Sequence, residues 1–396
     1  MLAIEGGKPV RKKDNFLIFG APRIEEEEIQ EVIRCLRSGW IGTGPRVGQF
    51  EKDFAEYKQK KYAIAVNSCT AALHLAMLAS GVGPGDEVIT TPMTFCATIN
   101  SVIHCGATPV LADCDLDTMN ISPAQIEEKI TPKTKAILVV HFAGRCCNMD
   151  PIMRIAKSYN LLIIEDCAHA IESEYHGQKS GTFGDIGCFS FYVTKNITTG
   201  EGGMVVTDDE QIASKIKTLA LQGMSKDAWK RYSDEGYKHY EVIYAGFKYN
   251  MTDMQASLGI HQMKRVDIYW KRREEIWRFY NKYFSDLPCV LPADPEPDTK
   301  HSYHLYTPLI NLDEIGKNRD WVLDALAAEG IGVGVHYTPV HLHSFYREKY
   351  SWGTGQFPNA ERIGERTVSL PLSPELSDED VIDAVAAFRK VLRNYQ

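Results

Sequence analysis

The sequence has no Cys-x-x-Cys pair, no block of basic residues and no apolar run approaching the roughly 20 residues of a membrane span. Each absence removes a class of function. Ten cysteines are scattered along the chain, so neither a structural zinc module nor a dithiol redox centre has its usual ligand spacing. Cys69, Cys96, Cys167 and Cys188 fall in apolar stretches, where reduced, buried thiols are expected. With 44 basic against 52 acidic side chains and a formal net charge of -8, the chain offers no electrostatic footprint for nucleic acid or for an anionic membrane. The start, Met1-Leu-Ala-Ile-Glu-Gly-Gly-Lys-Pro9, lacks the basic-then-apolar order of a secretory signal, and a cytoplasmic location is expected. Internal repeats, low-complexity tracts and Gly/Ser linkers are also missing.

What is present is a chain of 396 residues, long enough for a large core and a second unit. Ile24 to Ser38 carries Ile29, Val32, Ile33 and Leu36 at helical spacing, followed by the glycine-rich Ser38-Gly-Trp-Ile-Gly-Thr-Gly-Pro45. That loop follows a helix rather than a strand, so it reads as a substrate-facing loop carrying Trp40 and Thr43 and not as a dinucleotide fingerprint. From Tyr62 onward, short strands alternate with helices, which predicts an α/β fold with a mostly parallel central sheet. Strands are expected at 62–66, 87–90, 108–112, 136–141, 161–166 and 204–207. Ser122-Pro-Ala-Gln125 reads as a helix start with a capping-box glutamine. Residues 222–246 lack a period but are rich in aromatics, as in a binding loop or lid. Residues 251–287 read as one long helical pattern. A strand at 331–337 and helices at 319–329 and 377–393 suggest a smaller α+β unit, dividing the chain into 1–260 and 261–396.

The chemistry-bearing stretches lie in the first unit. Asn67-Ser-Cys-Thr70 opens a helix, where outward amides and hydroxyls make a phosphate seat or where Ser68 or Thr70 simply caps the helix. Asp166 ends the most apolar strand and precedes His169, at the sheet edge where ligands of open α/β folds sit. A turn residue and a satisfied core histidine are the plainer readings of these two. Ser190-Phe-Tyr-Val-Thr-Lys195 leads into Asn196-Ile-Thr-Thr-Gly-Glu-Gly-Gly203. A lysine held between an apolar strand and a glycine turn would be partly desolvated and able to attack a carbonyl. A phosphate seat, a carboxylate and a lysine amine together match the needs of pyridoxal 5'-phosphate.

These motifs, with Gly246-Phe-Lys-Tyr-Asn-Met-Thr-Asp253 and His336-Tyr-Thr-Pro-Val-His341, resemble the DegT/DnrJ/StrS family of sugar aminotransferases over nearly the whole length. The resemblance implies fold type I of the pyridoxal-phosphate transferases, with Lys195 as Schiff-base lysine, Asp166 on the ring nitrogen and His169 near the ring hydroxyl. It also implies Cys69, Thr70 and Ser190 at the phosphate, Phe95 stacked on the ring, and Asn250 and Lys248 donated from the partner of a homodimer. Substrate contacts are expected from Trp40, Thr43, His336, Tyr337 and His341. The implied reaction passes an amino group from L-glutamate, released as 2-oxoglutarate, through the pyridoxamine phosphate form to a nucleotide-linked keto-sugar. Lys248-Tyr-Asn250 is similar to the branch forming UDP-4-amino-4-deoxy-L-arabinose, which favours C4 over C3. A 3-dehydratase of this fold would carry histidine in place of Lys195, and a non-catalytic regulatory relative would not need the intact lysine, aspartate and phosphate seat. His301, His304, His336, His341 and His343 lie on separate segments without acidic companions, so no metal is expected.

Overall fold

The computed structural model describes residues 1–224 and 240–393. Helices α1 (Glu26–Ser38) and α2 (Pro45–Lys58) lead into strand β1 (Tyr62–Val66), α3 (Cys69–Ala79), β2 (Glu87–Thr90), α4 (Cys96–His104) and β3 (Thr108–Leu111). The chain continues through α5 (Pro123–Glu128), β4 (Thr134–Val140), α6 (Met149–Tyr159), β5 (Leu162–Asp166), β6 (Ile186–Ser190), β7 (Gly203–Thr207) and α7 (Glu210–Ala220). The seven strands form one sheet in the order β1-β7-β6-β5-β4-β2-β3. Only β7 runs against its neighbours.

Strand β5 lies in the middle of this sheet, which explains its unbroken apolar run. Ile164 packs on one face with Leu73 and Val102, and Ile163 packs on the other with Ile152 and Ile155. Successive side chains of a strand point to opposite faces, so helices on both sides require apolar residues at consecutive positions, here Leu162 to Ile164. The α5 start forms without the expected capping box, since Gln125 reaches forward to Glu128 (3.2 Å).

The second unit departs from the sequence pattern in two places. Residues 251–287 form two helices, α8 (Asp253–Lys264) and α9 (Val266–Phe284), divided at Arg265. There the guanidinium is drawn to Glu25, Glu27 and Glu28 around α1. Residues 331–337 make isolated bridges only, Ile331 to Leu17 and Gly334 to Ser369. The start of the chain occupies that edge instead. Leu2 and Leu17 pack with Trp277 and Phe388 in the core of the C-terminal unit, and Arg11 pairs with Asp380 at 2.5 Å. The helices α10 (Arg319–Ala328), α11 (Pro358–Arg366) and α12 (Asp378–Arg393) complete that unit.

The apolar stripe of α1 is not its buried face: Ile29 and Leu36 are 44% and 51% exposed, whereas Glu28 and Cys35 are buried. Of the aromatic segment 222–246, Trp229, Tyr232, Tyr237 and His239 lie outside the described residues.

Glu165 fixes the end of β5. Its buried carboxylate accepts the amides of Gly181, Phe183 and Gly184 (2.7–2.8 Å) and meets His141 Nε2 at 2.9 Å. Glu165→Gln would turn an amide group toward these donors and should lower unfolding stability by about 3 kcal/mol in denaturant melts. A midpoint equal to that of the parent protein would contradict this role.

Candidate active site

Because β5 ends at Asp166 in the middle of the sheet, its carboxylate emerges at the carboxyl edge and lines a cavity of about 520 Å³. The side chain is 5% exposed. Thr98 Oγ1 donates to Oδ2 at 2.9 Å and the Ala168 amide to Oδ1 at 3.1 Å. Burial raises its pKa above the ordinary carboxylate range, against the lowering effect of those two bonds. A carboxylate in this state gains most from a cationic partner in the cavity.

Lys195 lines the same cavity. Its backbone amide bonds Tyr192 O at 2.9 Å, closing a turn after β6. Desolvation pushes its pKa down to about 8; Cys69 and Asp166 pull it upward and Arg273 adds to the lowering. A substantial share of the amine is therefore neutral near physiological pH, as a nucleophile toward a carbonyl must be.

The α3 N-terminus forms the third wall. Ser68 is the N-cap, with Oγ accepting from the Ala71 amide at 3.1 Å, which leaves the Cys69 and Thr70 amides as the open donors of the first turn. The capping reading holds for Ser68, and the two open amides beside it are the donors a phosphate would need. Opposite the turn lies Gly203, where a Cβ would come within 2.5 Å of the Ser68 carbonyl, so only glycine lets β7 approach. Ser190 lines the cavity beside it. Open amides, a buried carboxylate and a lysine on one cavity fit pyridoxal phosphate: Cys69, Thr70 and Ser190 toward its phosphate, Asp166 toward its ring nitrogen, Lys195 toward its aldehyde.

Phe95 is 58% exposed on the cavity wall, which rules out a core packing role. His169 accepts the Ala143 amide at Nδ1 (3.2 Å), which leaves the proton on Nε2, 3.1 Å from Tyr337 Oη. His336 and Tyr337 also face the cavity. Burial, with Lys195 nearby, lowers the His336 pKa to about 3. His341 departs from expectation: it is fully buried, its Nε2 lies 3.1 Å from Glu361 and its ring packs on Phe357. A side chain so enclosed does not reach this cavity. Trp40, Thr43 and Asn250 line a separate cavity of about 660 Å³ with Glu51 and Lys217, and Lys248 bridges to Leu221. None of these four lines the Lys195 cavity of its own chain.

Sequence reading missed Thr98 and Thr94, whose hydroxyls lie 2.7 Å apart and lead to Asp166. Thr94, just before α4, and Thr98, in its first turn, stand four residues apart, and that spacing was the available signal. His141, Glu165 and Cys167 place ligand atoms within 4.8 Å of one another. Glu165 already accepts four donors and His141 Nδ1 takes the Cys147 amide, so their lone pairs are committed within the protein.

The sequence model of the DegT/DnrJ/EryC1/StrS aminotransferase family matches residues 22–389. SpsC, a spore coat polysaccharide biosynthesis protein of Bacillus subtilis, is 49% identical over 385 residues, spanning 97% of this chain and 99% of its own. The pyridoxal-phosphate form of Spr1654, a putative sugar aminotransferase of Streptococcus pneumoniae, superposes with a TM-score of 0.89 at 34% identity, over 96% of this chain and all of its own. DesI, solved in the presence of its TDP-sugar product, gives 0.86 at 29% identity, covering 100% and 97%. With its lysine, carboxylate and phosphate seat gathered on one cavity, the chain belongs to the DegT/DnrJ/EryC1/StrS aminotransferase family and is a pyridoxal-phosphate-dependent aminotransferase.

Proposed function

We propose that the protein transfers the amino group of L-glutamate to the C4 ketone of a nucleotide-linked sugar. The observation that carries the reading is the lowered amine of Lys195 sharing one cavity with the buried carboxylate of Asp166. The sugar acceptor is supported by the likeness to SpsC and to DesI, the latter seen with a TDP-sugar. The C4 position rests on Lys248-Tyr-Asn250, as in the arabinose branch.

When bound, the cofactor supplies an electron sink for the carbanion formed as a proton leaves the donor's α-carbon. The residues of the chain do the rest. Asp166, oriented by Thr98 and Ala168, keeps the ring nitrogen protonated. Lys195 Nζ would hold the aldehyde, and its neutral amine would take and return the proton at the reacting carbon. His169 directs its Nε2 proton into the cavity region bounded by Tyr337. The amine leaves glutamate as 2-oxoglutarate departs, and the sugar ketone takes it up by the reverse sequence.

We further infer a homodimer. Ile29, Leu36, Trp40 and Ile41 are 44–54% exposed on adjoining surface, more apolar area than a free helix face and loop ordinarily present. Asn250 Oδ1 is buried without a partner among the described residues, and its side chain is turned from its own Lys195 cavity. Burial of that apolar surface against a second copy accounts for its exposure, and such a contact would let Asn250 Nδ2 and Lys248 Nζ donate to the partner's phosphate.

Three outcomes test the reading. Incubation with glutamate and a panel of 3-keto and 4-keto nucleotide sugars should place the new amine at C4 by NMR, and amination at C3 alone would refute that position. Lys195→Ala should lower turnover by about a thousandfold or more; an alanine variant of full activity rules the mechanism out. In the apo-protein, the rate at which Lys195 reacts with pyridoxal phosphate should rise with pH and level off above about 8. The neutral amine is lost below that value, so a midpoint near 10.5, the value of an exposed lysine, would show that the site does not desolvate it.

A further inference from the structure

The turn that carries Lys195 belongs to no helix or strand, yet the next residue is pinned on every polar atom of its side chain. Asn196 is 5% exposed. Its Nδ2 donates to Glu172 Oε2 at 2.8 Å and to the Ser302 carbonyl at 2.9 Å, while Oδ1 faces His304 Nδ1 at 2.9 Å. The opposite amide orientation would aim Oδ1 at two acceptors, so the surroundings decide which end is which. His304 must then carry its proton on Nδ1. Burial holds it neutral, and its ring lies against that of His169, tilted by 33° with centroids 4.4 Å apart.

The partners reach Asn196 from distant parts of the chain. The Ser302 amide bonds Gly144 O at 2.8 Å, the His304 amide bonds Ala143 O at 3.1 Å, and Ser302 Oγ accepts the Glu172 amide at 3.0 Å. This stitches the C-terminal segment to the loops beyond β4 and β5. Arg273, 2% exposed and anchored on Leu372 O at 2.7 Å, supplies the positive charge that offsets Glu172.

We propose that Asn196 is a positioning residue for Lys195: it ties the peptide bearing the catalytic amine to the Ser302–His304 segment and, through His304, sets the plane of His169. A lysine side chain has four rotatable bonds, so the aim of Nζ depends on how firmly its Cα is held. Loosening that hold reduces the fraction of well-aimed encounters without changing what the cavity binds.

The test uses Asn196→Leu, which keeps the volume and removes all three bonds. In the apo-protein, the rate at which pyridoxal phosphate becomes fixed to Lys195 on borohydride reduction, located by peptide mass, is expected to fall about tenfold. Binding of inorganic phosphate should change by less than about threefold, and in the holoenzyme kcat should fall with little change in the glutamate KM. An unchanged labelling rate overturns the proposal, and so does an equal loss of phosphate binding, which marks a general loosening of the fold. A measurement on the parent protein guards against a variant that does not fold. Nitrogen-15 NMR of histidine-labelled apo-protein, with His304 assigned from His304→Gln, should find the proton on Nδ1; a proton on Nε2 overturns the network.

Discussion

Desolvation of two opposite charges that do not pair with each other governs the catalytic centre. Asp166 and Lys195 face one cavity, and burial displaces each toward its neutral form. Joining them directly would satisfy both, but it would also protonate the amine and leave the carboxylate no use for a cofactor. Keeping them apart is the work of their supports. Thr98 and Ala168 hold the carboxylate, and Glu165, one residue earlier, locks the strand end through backbone amides. The site is thus unsatisfied by construction, and a group carrying a phosphate, a basic nitrogen and an aldehyde completes it.

Much of this was legible in the sequence, for reasons that differ by element. Strand β5 could be read because burial on both faces leaves an uninterrupted apolar run ending in a carboxylate. The α3 start could be read because helix geometry requires open amides there. Other features depend on contacts that no local pattern encodes. The break at Arg265 follows from three glutamates around a helix far away in sequence, and the missing strand at 331–337 follows from the chain start occupying its edge. His341 matched a motif yet serves Glu361, because a motif records which residues occur together and not which way each one turns. The stripe on α1 had the right period, but period does not say what the face packs on, since an apolar face is equally suited to a core or to another chain.

The part of the chain beyond α9 contributes directly to the cavity. His304 and Tyr337 enclose His169 from two sides, at ring-centroid distances of 4.4 and 6.1 Å. Its segment 302–304 is hydrogen-bonded to the loop after β4. The imidazole that faces the cavity therefore owes its orientation to both units at once.

The pairing of Val66 with Gly203 across β1 and β7, and its bridge to Asn250, has a bearing on how the protein is made. The Lys195 cavity draws on residues around 68–73, 94–98, 166–169 and 190–202, brought together by contacts of long sequence separation. A nascent chain released only as far as β6 carries Cys69, Thr70, Asp166 and Ser190 but not yet Lys195. Covalent capture of the cofactor would thus wait for the turn between β6 and β7, so the cofactor meets strands already made and does not template them.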